Sequence, residues 1–135
     1  MGIRRKARIL AFQTIYSWDI NHDSIENLLL FSWKKESINE DVAIFSKLLA
    51  AGTVENIIEI DALLKSNIKN WEFERLAKVD LAILRTSVYE MMFQDDVPVS
   101  VTINEAVEIA KSFGSDDSYK FINGVLDNIR RTEIH

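Results

Sequence analysis

A single proline, Pro98, and four glycines in 135 residues leave this chain little with which to interrupt a helix. Every backbone donor needs a partner, and a chain so poor in turn residues satisfies its donors most simply inside long helices. With 47% apolar residues the chain can build a sizeable core, burying roughly two-thirds of its unfolded surface without a disulfide or a structural metal. There is no cysteine, so disulfides, thiolate nucleophiles and thiolate metal sites are all excluded, which suits a reducing cytoplasm. No apolar run approaches the ~20 residues of a membrane span.

Apolar spacing fills in the elements. Ala7, Leu10, Ala11, Thr14, Ile15 and Trp18 recur at helical steps, and a second side of the same helix collects Arg5, Arg8, Phe12 and Tyr16. Asp23 with Glu26 forms a capping box for a short helix carrying Ile25, Leu28, Leu29 and Trp33, and Lys34–Asn39 reads as a loop. One long helix is expected from Val42 through Phe45, Leu48, Leu49, Ile57, Ile60 and Leu64 to Ile68, with Gly52 marking close helix approach instead of a break. The pattern changes phase near Asn70-Trp71, which sets a boundary between helical halves at residues 1–69 and 70–135. Asp80 is placed to cap the helix of Leu81, Leu84, Val88, Met91 and Met92, and the acidic loop at Asp95, Asp96, Val97 and Pro98 ends it. Thr102 and Glu105 then read as a capping box for Ile103, Ala106, Val107, Ala110 and Phe113, with Gly114 as a left-handed stop. The last helix carries Tyr119, Ile122, Val125, Leu126 and Ile129, runs through Asn123-Gly124, and keeps Lys120 and Phe121 off its apolar stripe. A glycine in mid-helix costs about 1 kcal/mol against alanine, so Gly124 is expected to serve close packing. The expected architecture is all-α, five or six helices with no strand.

Charge is distributed as unevenly as the breakers are sparse. Arg4, Arg5, Lys6 and Arg8 precede the first acid, Asp19, so the opening segment carries +4 in a chain of net charge −5, leaving −9 on the remainder. A compact cationic patch on an anionic body attracts a polyanion to one spot and repels it elsewhere. The same patch is also compatible with a solvated tail, a transit peptide or a membrane-surface helix. A secretory signal is excluded because Gln13, Thr14 and Ser17 interrupt the apolar run and no small-residue cleavage site follows.

Catalytic readings find little to stand on. His22 and His135 are the only histidines, one in a loop and one at the end, so neither a Ser-His-Asp arrangement nor a histidine metal cluster can be drawn. The acid pairs Asp95-Asp96 and Asp116-Asp117 sit in loops, where they serve as caps and solvating groups, and no glycine-rich phosphate loop is present. The remaining classes are a single-stranded RNA binder, a duplex-DNA reader and a helical protein-interaction module. A duplex reader concentrates basic and amide side chains on one recognition helix and adds basic charge elsewhere for the backbone, whereas here the cations sit chiefly on the first helix.

Three separated segments, RRKARILAFQTIYSWD, VDLAILRTSVYEM and VPVSVTINEAVEIAKSFGSDDSYKFINGVLD, agree in order and spacing with one family. The chain closely resembles the NusB family of bacterial transcription antitermination factors over essentially its whole length. That resemblance implies an all-helical fold of two packed subdomains of three to four helices each, and a non-enzymatic, cytoplasmic role without cofactor or metal. It implies binding of boxA-like single-stranded RNA together with NusE, a small-subunit ribosomal protein, and indirect linkage to RNA polymerase. A second copy of the chain stands as a further partner. Carried over by position, the RNA-facing residues are Arg4, Arg5, Lys6, Arg8, Gln13 and Tyr16, with Asp117, Ser118, Lys120 and Phe121 after the Gly114 turn. Partner contacts fall on Glu74 and Asp80, where aspartate stands in a position that is often glutamate. The chemistry suits these roles, since unpaired bases are read by stacking on rings such as Tyr16 and Phe121 and by hydrogen bonds from groups such as Gln13 and Ser118.

Overall fold

Residues 2–134 are described by a computed structural model, apart from the side chains of Asn70 and Trp71. The change of phase expected at those two side chains, and His135, therefore lie outside the described residues. Among the described residues eight helices follow in order: α1 (Ile3–Asn21), α2 (Ile25–Leu28), α3 (Glu40–Glu55), α4 (Ile57–Asn67), α5 (Asn70–Phe73), α6 (Lys78–Phe93), α7 (Val99–Phe113) and α8 (Ser118–Glu133). No strand occurs among the described residues.

Helix α6 is the axis of the molecule. It packs against α1, α3, α4, α7 and α8, and all eleven consecutive residues from Leu81 to Met91 are buried. One core cluster runs through it, joining Ala11 and Ile15 of α1, Leu49 of α3, Ile60 and Leu64 of α4, Ile103 and Ala106 of α7, and Ile122 and Leu126 of α8. A satellite of Ala7, Leu10, Phe31 and Val42 seals α1 against α3 and the connection before it. A charge enclosed by packed helices is costly unless it is paired, and α6 carries Arg85 and Glu90 within its buried stretch. Arg85 donates to Asp61 of α4 at 2.9 and 2.8 Å, with Asp19 of α1 3.5 Å away. Glu90 is met by Arg8 of α1 and Thr102 of α7.

Several local expectations hold for the expected reason. Gly52 lies where a Cβ would fall inside the Tyr89 ring, so α3 and α6 approach through a missing side chain. The connection after α6 ends at Pro98, the N-cap of α7, and α8 runs uninterrupted through Asn123-Gly124.

Others are corrected. The long third helix is two, because the backbone turns at Asn56 (φ −111°, ψ 20°), whose side-chain amide donates to the Gly52 carbonyl at 2.8 Å. Helix α2 is capped by Ser24, which accepts from Asn27 N–H, and it ends before Trp33. Helix α6 begins before Asp80, which sits inside its first turn and does not cap it. Helix α7 starts before Thr102, whose buried hydroxyl serves Glu90 instead of a cap. Gly114 is extended (φ −92°, ψ −173°), not left-handed; glycine is required because a Cβ would come within 2.9 Å of the Ala110 carbonyl oxygen and against Ser118. Gly124 meets nothing within 4 Å of an added Cβ, so close packing does not explain it. Leu48 and Phe113, expected in the core, are 43% exposed.

Candidate nucleic-acid interface

The basic segment at the start of α1 divides by the helix face each residue occupies. Arg4 and Lys6 are exposed, and Lys6 has no ion-pair partner among the described residues. The Arg4 guanidinium lies over the Phe45 ring, 4.1 Å from its centre, and 4.0 Å from Asp96, with its side chain still open to water. Arg5 is half-buried and makes a two-pronged contact with Glu105 of α7, Nε to Oε1 at 2.9 Å and Nη2 to Oε2 at 2.6 Å. These hydrogen bonds from Arg5 hold the Glu105 carboxyl below its ordinary range against the opposing effect of burial, and the charges of Arg5 and Arg8 add to the shift. The Arg5 pKa is raised, first by the same hydrogen bonds.

Arg8 requires a correction. It is only 8% exposed, and its Nε and Nη2 donate to the fully buried Glu90 carboxylate at 2.9 and 2.7 Å, with Nη1 3.6 Å from Glu105. Its guanidinium is committed to the interior and is not a surface cation. The expected basic-aromatic face of α1 is split accordingly, with Arg8 and Phe12 facing inward and Arg4, Lys6 and Tyr16 outward. Burial spans most of the helix because α3 packs on it from one direction and α6 from another.

Outward of this interior network run two shallow grooves. The first, about 510 Å³, is lined on α1 by Gln13, Tyr16 and Ser17, with Val79 of α6, Phe113 of α7 and residues of the α2–α3 connection. The second, about 400 Å³, continues past Gln13 to Lys6 and Ile9. Tyr16 is 36% exposed and Phe113 43%, the latter braced edge-to-face on buried Phe12 at 5.3 Å. A ring supported on one face and open on another is the form a stacking platform takes.

The segment after Gly114 contributes unequally. Asp117 is exposed at the N-cap of α8, with no hydrogen bond from its side chain to the helix. Ser118 requires the second correction: it is 2% exposed, and its hydroxyl accepts the Ser115 N–H at 2.9 Å, so it closes the α7–α8 turn. Lys120 is exposed, its ammonium 5.8 Å from the Tyr119 ring centre. Phe121 is half-buried and lines a different groove, about 340 Å³, with Leu76, Ala77 and Asp80. Val79 faces the Tyr16 groove while Ala77 and Asp80 face the Phe121 groove, so the two flank the start of α6.

The expected partner residues also sit here. Glu74 is exposed. Asp80 is 8% exposed, and its buried Oδ1 has no hydrogen-bond partner. A carboxylate oxygen left unpaired at that burial is costly.

Phe113, whose spacing predicts a core position, and the α2–α3 connection, whose composition predicts a polar loop, both line the Tyr16 groove. No signal in either segment distinguishes exposure from burial, because that depends on where α1 and α7 leave a gap. Among the described residues no group of three or more His, Cys, Asp or Glu is placed to hold a metal, and no helix is long and apolar enough to cross a membrane.

The model of the NusB family matches residues 5–131. The transcription antitermination protein NusB of Treponema denticola is 48% identical over 129 residues, covering 94% of this chain and 95% of that protein. Its counterpart in Bacillus cereus (strain B4264) is 45% identical over 134 residues, covering 96% and 98%. Among solved structures, T. maritima NusB superposes with a TM-score of 0.88 at 32% identity, covering 98% of this chain and 93% of that one. A chain from the crystal structure of antitermination factors NusB and NusE in complex with double-stranded RNA gives a TM-score of 0.86 at 28% identity, covering 97% and 98%. Family model, relatives and fold agree over nearly the entire length: the chain belongs to the NusB family.

Proposed function

We propose that this protein is a cytoplasmic transcription antitermination factor that holds boxA-like single-stranded RNA on the outer face of α1 and pairs with a NusE-type ribosomal protein near the start of α6. The observation that carries this reading is the Tyr16 groove, where open rings lie beside lysines and which continues past Gln13 to the exposed Lys6 of α1 in an otherwise acidic molecule. Arg4 and Lys6 supply phosphate contacts. Tyr16 offers a ring to unpaired bases, Gln13, Asp117 and Lys120 offer polar contacts at the margins, and Phe121 lines the Asp80 groove on the partner side. Arg5 acts through its charge while braced by Glu105. Asp80, with its unpaired oxygen, and exposed Glu74 fit a basic partner. Membership in an antitermination family is what makes the role non-catalytic: the transcript is tethered, not altered.

The test is a titration of labelled boxA RNA at several salt concentrations, with and without NusE. Each phosphate contact on a single strand contributes about −0.7 to the slope of log affinity against log salt, so R4A/K6A is expected to flatten the slope by about 1.4. Tyr16→Ala is expected to weaken binding by about 1–3 kcal/mol, the worth of one base–aromatic stack, with the circular dichroism spectrum unchanged. Full affinity and slope in both variants would remove α1 from the RNA site.

A further inference from the structure

The connection between α2 and α3 forms a further wall of the Tyr16 groove. Trp33, Lys34 and Lys35 line that groove together with Tyr16 and Phe113. Gln13, Lys34 and Glu36 also line the neighbouring groove that reaches Lys6, so the two form one continuous track. Trp33 is 38% exposed, close to the exposure of Tyr16, yet its position is fixed from beneath. Its indole N–H donates to the Leu28 carbonyl at 2.8 Å, and its ring meets Phe31 edge-on at 6.3 Å. Phe31 itself adopts φ 57°, a left-handed conformation that a bulky residue rarely takes, and its ring is buried against Ala7, Leu10 and Val42. The core thus stabilises a strained backbone that presents the adjoining indole to the groove.

The chemistry of the track selects its occupant. Lys6, Lys34 and Lys35 line it against one acid, Glu36, in a molecule whose net charge is −5. Cations interleaved with open rings suit a phosphate backbone with unpaired bases, and Glu36 supplies an acceptor for a base amino group. A basic peptide would meet three like charges here.

We propose that Trp33, Lys34 and Lys35 form a second RNA-binding wall, with Trp33 stacking an unpaired base in the groove it shares with Tyr16 and the two lysines holding the adjoining phosphates. The proposal rests on the RNA reading of α1 and extends it to a segment with no role so far.

The test uses the full chain and a fluorescein-labelled single-stranded boxA RNA, followed by anisotropy. Trp33→Ala is expected to weaken binding between about 5-fold and 150-fold. K34A/K35A is expected to reduce the salt slope by about 1.4. Where Trp33→Ala alters the circular dichroism spectrum, the double lysine variant alone decides. If Tyr16→Ala loses affinity while the Trp33 and lysine variants keep wild-type affinity and slope, this inference is overturned and the α1 reading stands. If Tyr16→Ala and R4A/K6A are also unaffected, both fall. Normal RNA binding combined with weakened NusE binding in the loop variants would make the wall a protein contact and overturn the proposal.

Discussion

At the residue scale, Arg8 and Glu90 show how a motif can be read correctly as basic and wrongly as exposed. Glu90 is 2% exposed and accepts from Arg8 and Thr102, so its charge is neutralised and hydrogen-bonded from two helices. Removing one member of a buried pair costs more than the pair contributes, because the survivor stays buried and charged. Arg8→Ala is therefore expected to destabilise the fold by about 3–5 kcal/mol in urea unfolding, whereas Arg8→Met with Glu90→Met is expected to lie close to the parent. In conditions where R8A remains folded, its RNA salt slope should match the parent, which separates it from Arg4 and Lys6. The clue in the sequence lay not in the arginine cluster but in VYEMM: an acid inside an unbroken buried run demands a cation from elsewhere. Helical spacing groups Tyr16 with Arg8 and Phe12, yet Tyr16 is open and the other two are buried; Arg4 and Lys6 were legible as surface from their charge alone. Arg8 was not, since its fate depends on what packs against α1 from a distant part of the chain.

At the scale of elements, the joints between helices carry the specificity, and they are built from gaps and ion pairs. The α3–α6 joint depends on Gly52, where any Cβ would enter the Tyr89 ring. Gly52→Ala is expected to cost about 1–3 kcal/mol, the usual effect of overpacking, and to lower the thermal midpoint measured by circular dichroism. The α1–α7 joint depends on Arg5 with Glu105, whose folded carboxyl pKa lies below the ordinary value of 4.5. A depressed folded pKa contributes stability that is present above the unfolded pKa and disappears as pH falls through the folded one. Urea midpoints measured between pH 7 and pH 3 should fall below about pH 4.5, and Glu105→Gln should remove part of that dependence while losing stability at pH 7. Helix positions were readable wherever apolar periodicity was unbroken, as in α1, α6 and α8. The division at Asn56 was not, because Ile57, Ile60 and Leu64 continue an apolar series and no glycine or proline marks the turn. The stop at Gly114 was read in the right place for the wrong reason, since the space that Ser118 and the Ala110 carbonyl leave for it depends on how α8 folds back.

At the scale of the whole molecule, two grooves flank the start of α6, with rings and lysines along the Tyr16 groove on one side and Glu72, Arg75 and Asp80 beside Phe121 on the other. A net charge of −5 opposes RNA at a distance, so the free chain should bind weakly at physiological salt, and a basic partner seated on the Phe121 side would relieve that repulsion without touching the transcript. Asp80 tests the separation because it lies within the Phe121 groove proposed for the partner and its Oδ1 is buried without a donor. Asp80→Asn removes a charge that the N-terminus of α6 favours, at a cost of about 0.3–1 kcal/mol in stability. The expected outcome is a clear fall in NusE affinity by calorimetry, while RNA affinity of the variant alone stays at or slightly above the parent value. With both ligands present, RNA affinity should fall back toward that of the free chain, because what Asp80 supplies is the partner and not the contact with RNA. If Asp80→Asn instead weakened RNA binding in the absence of NusE, the two grooves would have to be treated as a single RNA surface, with Phe121 and Tyr16 acting on the same strand.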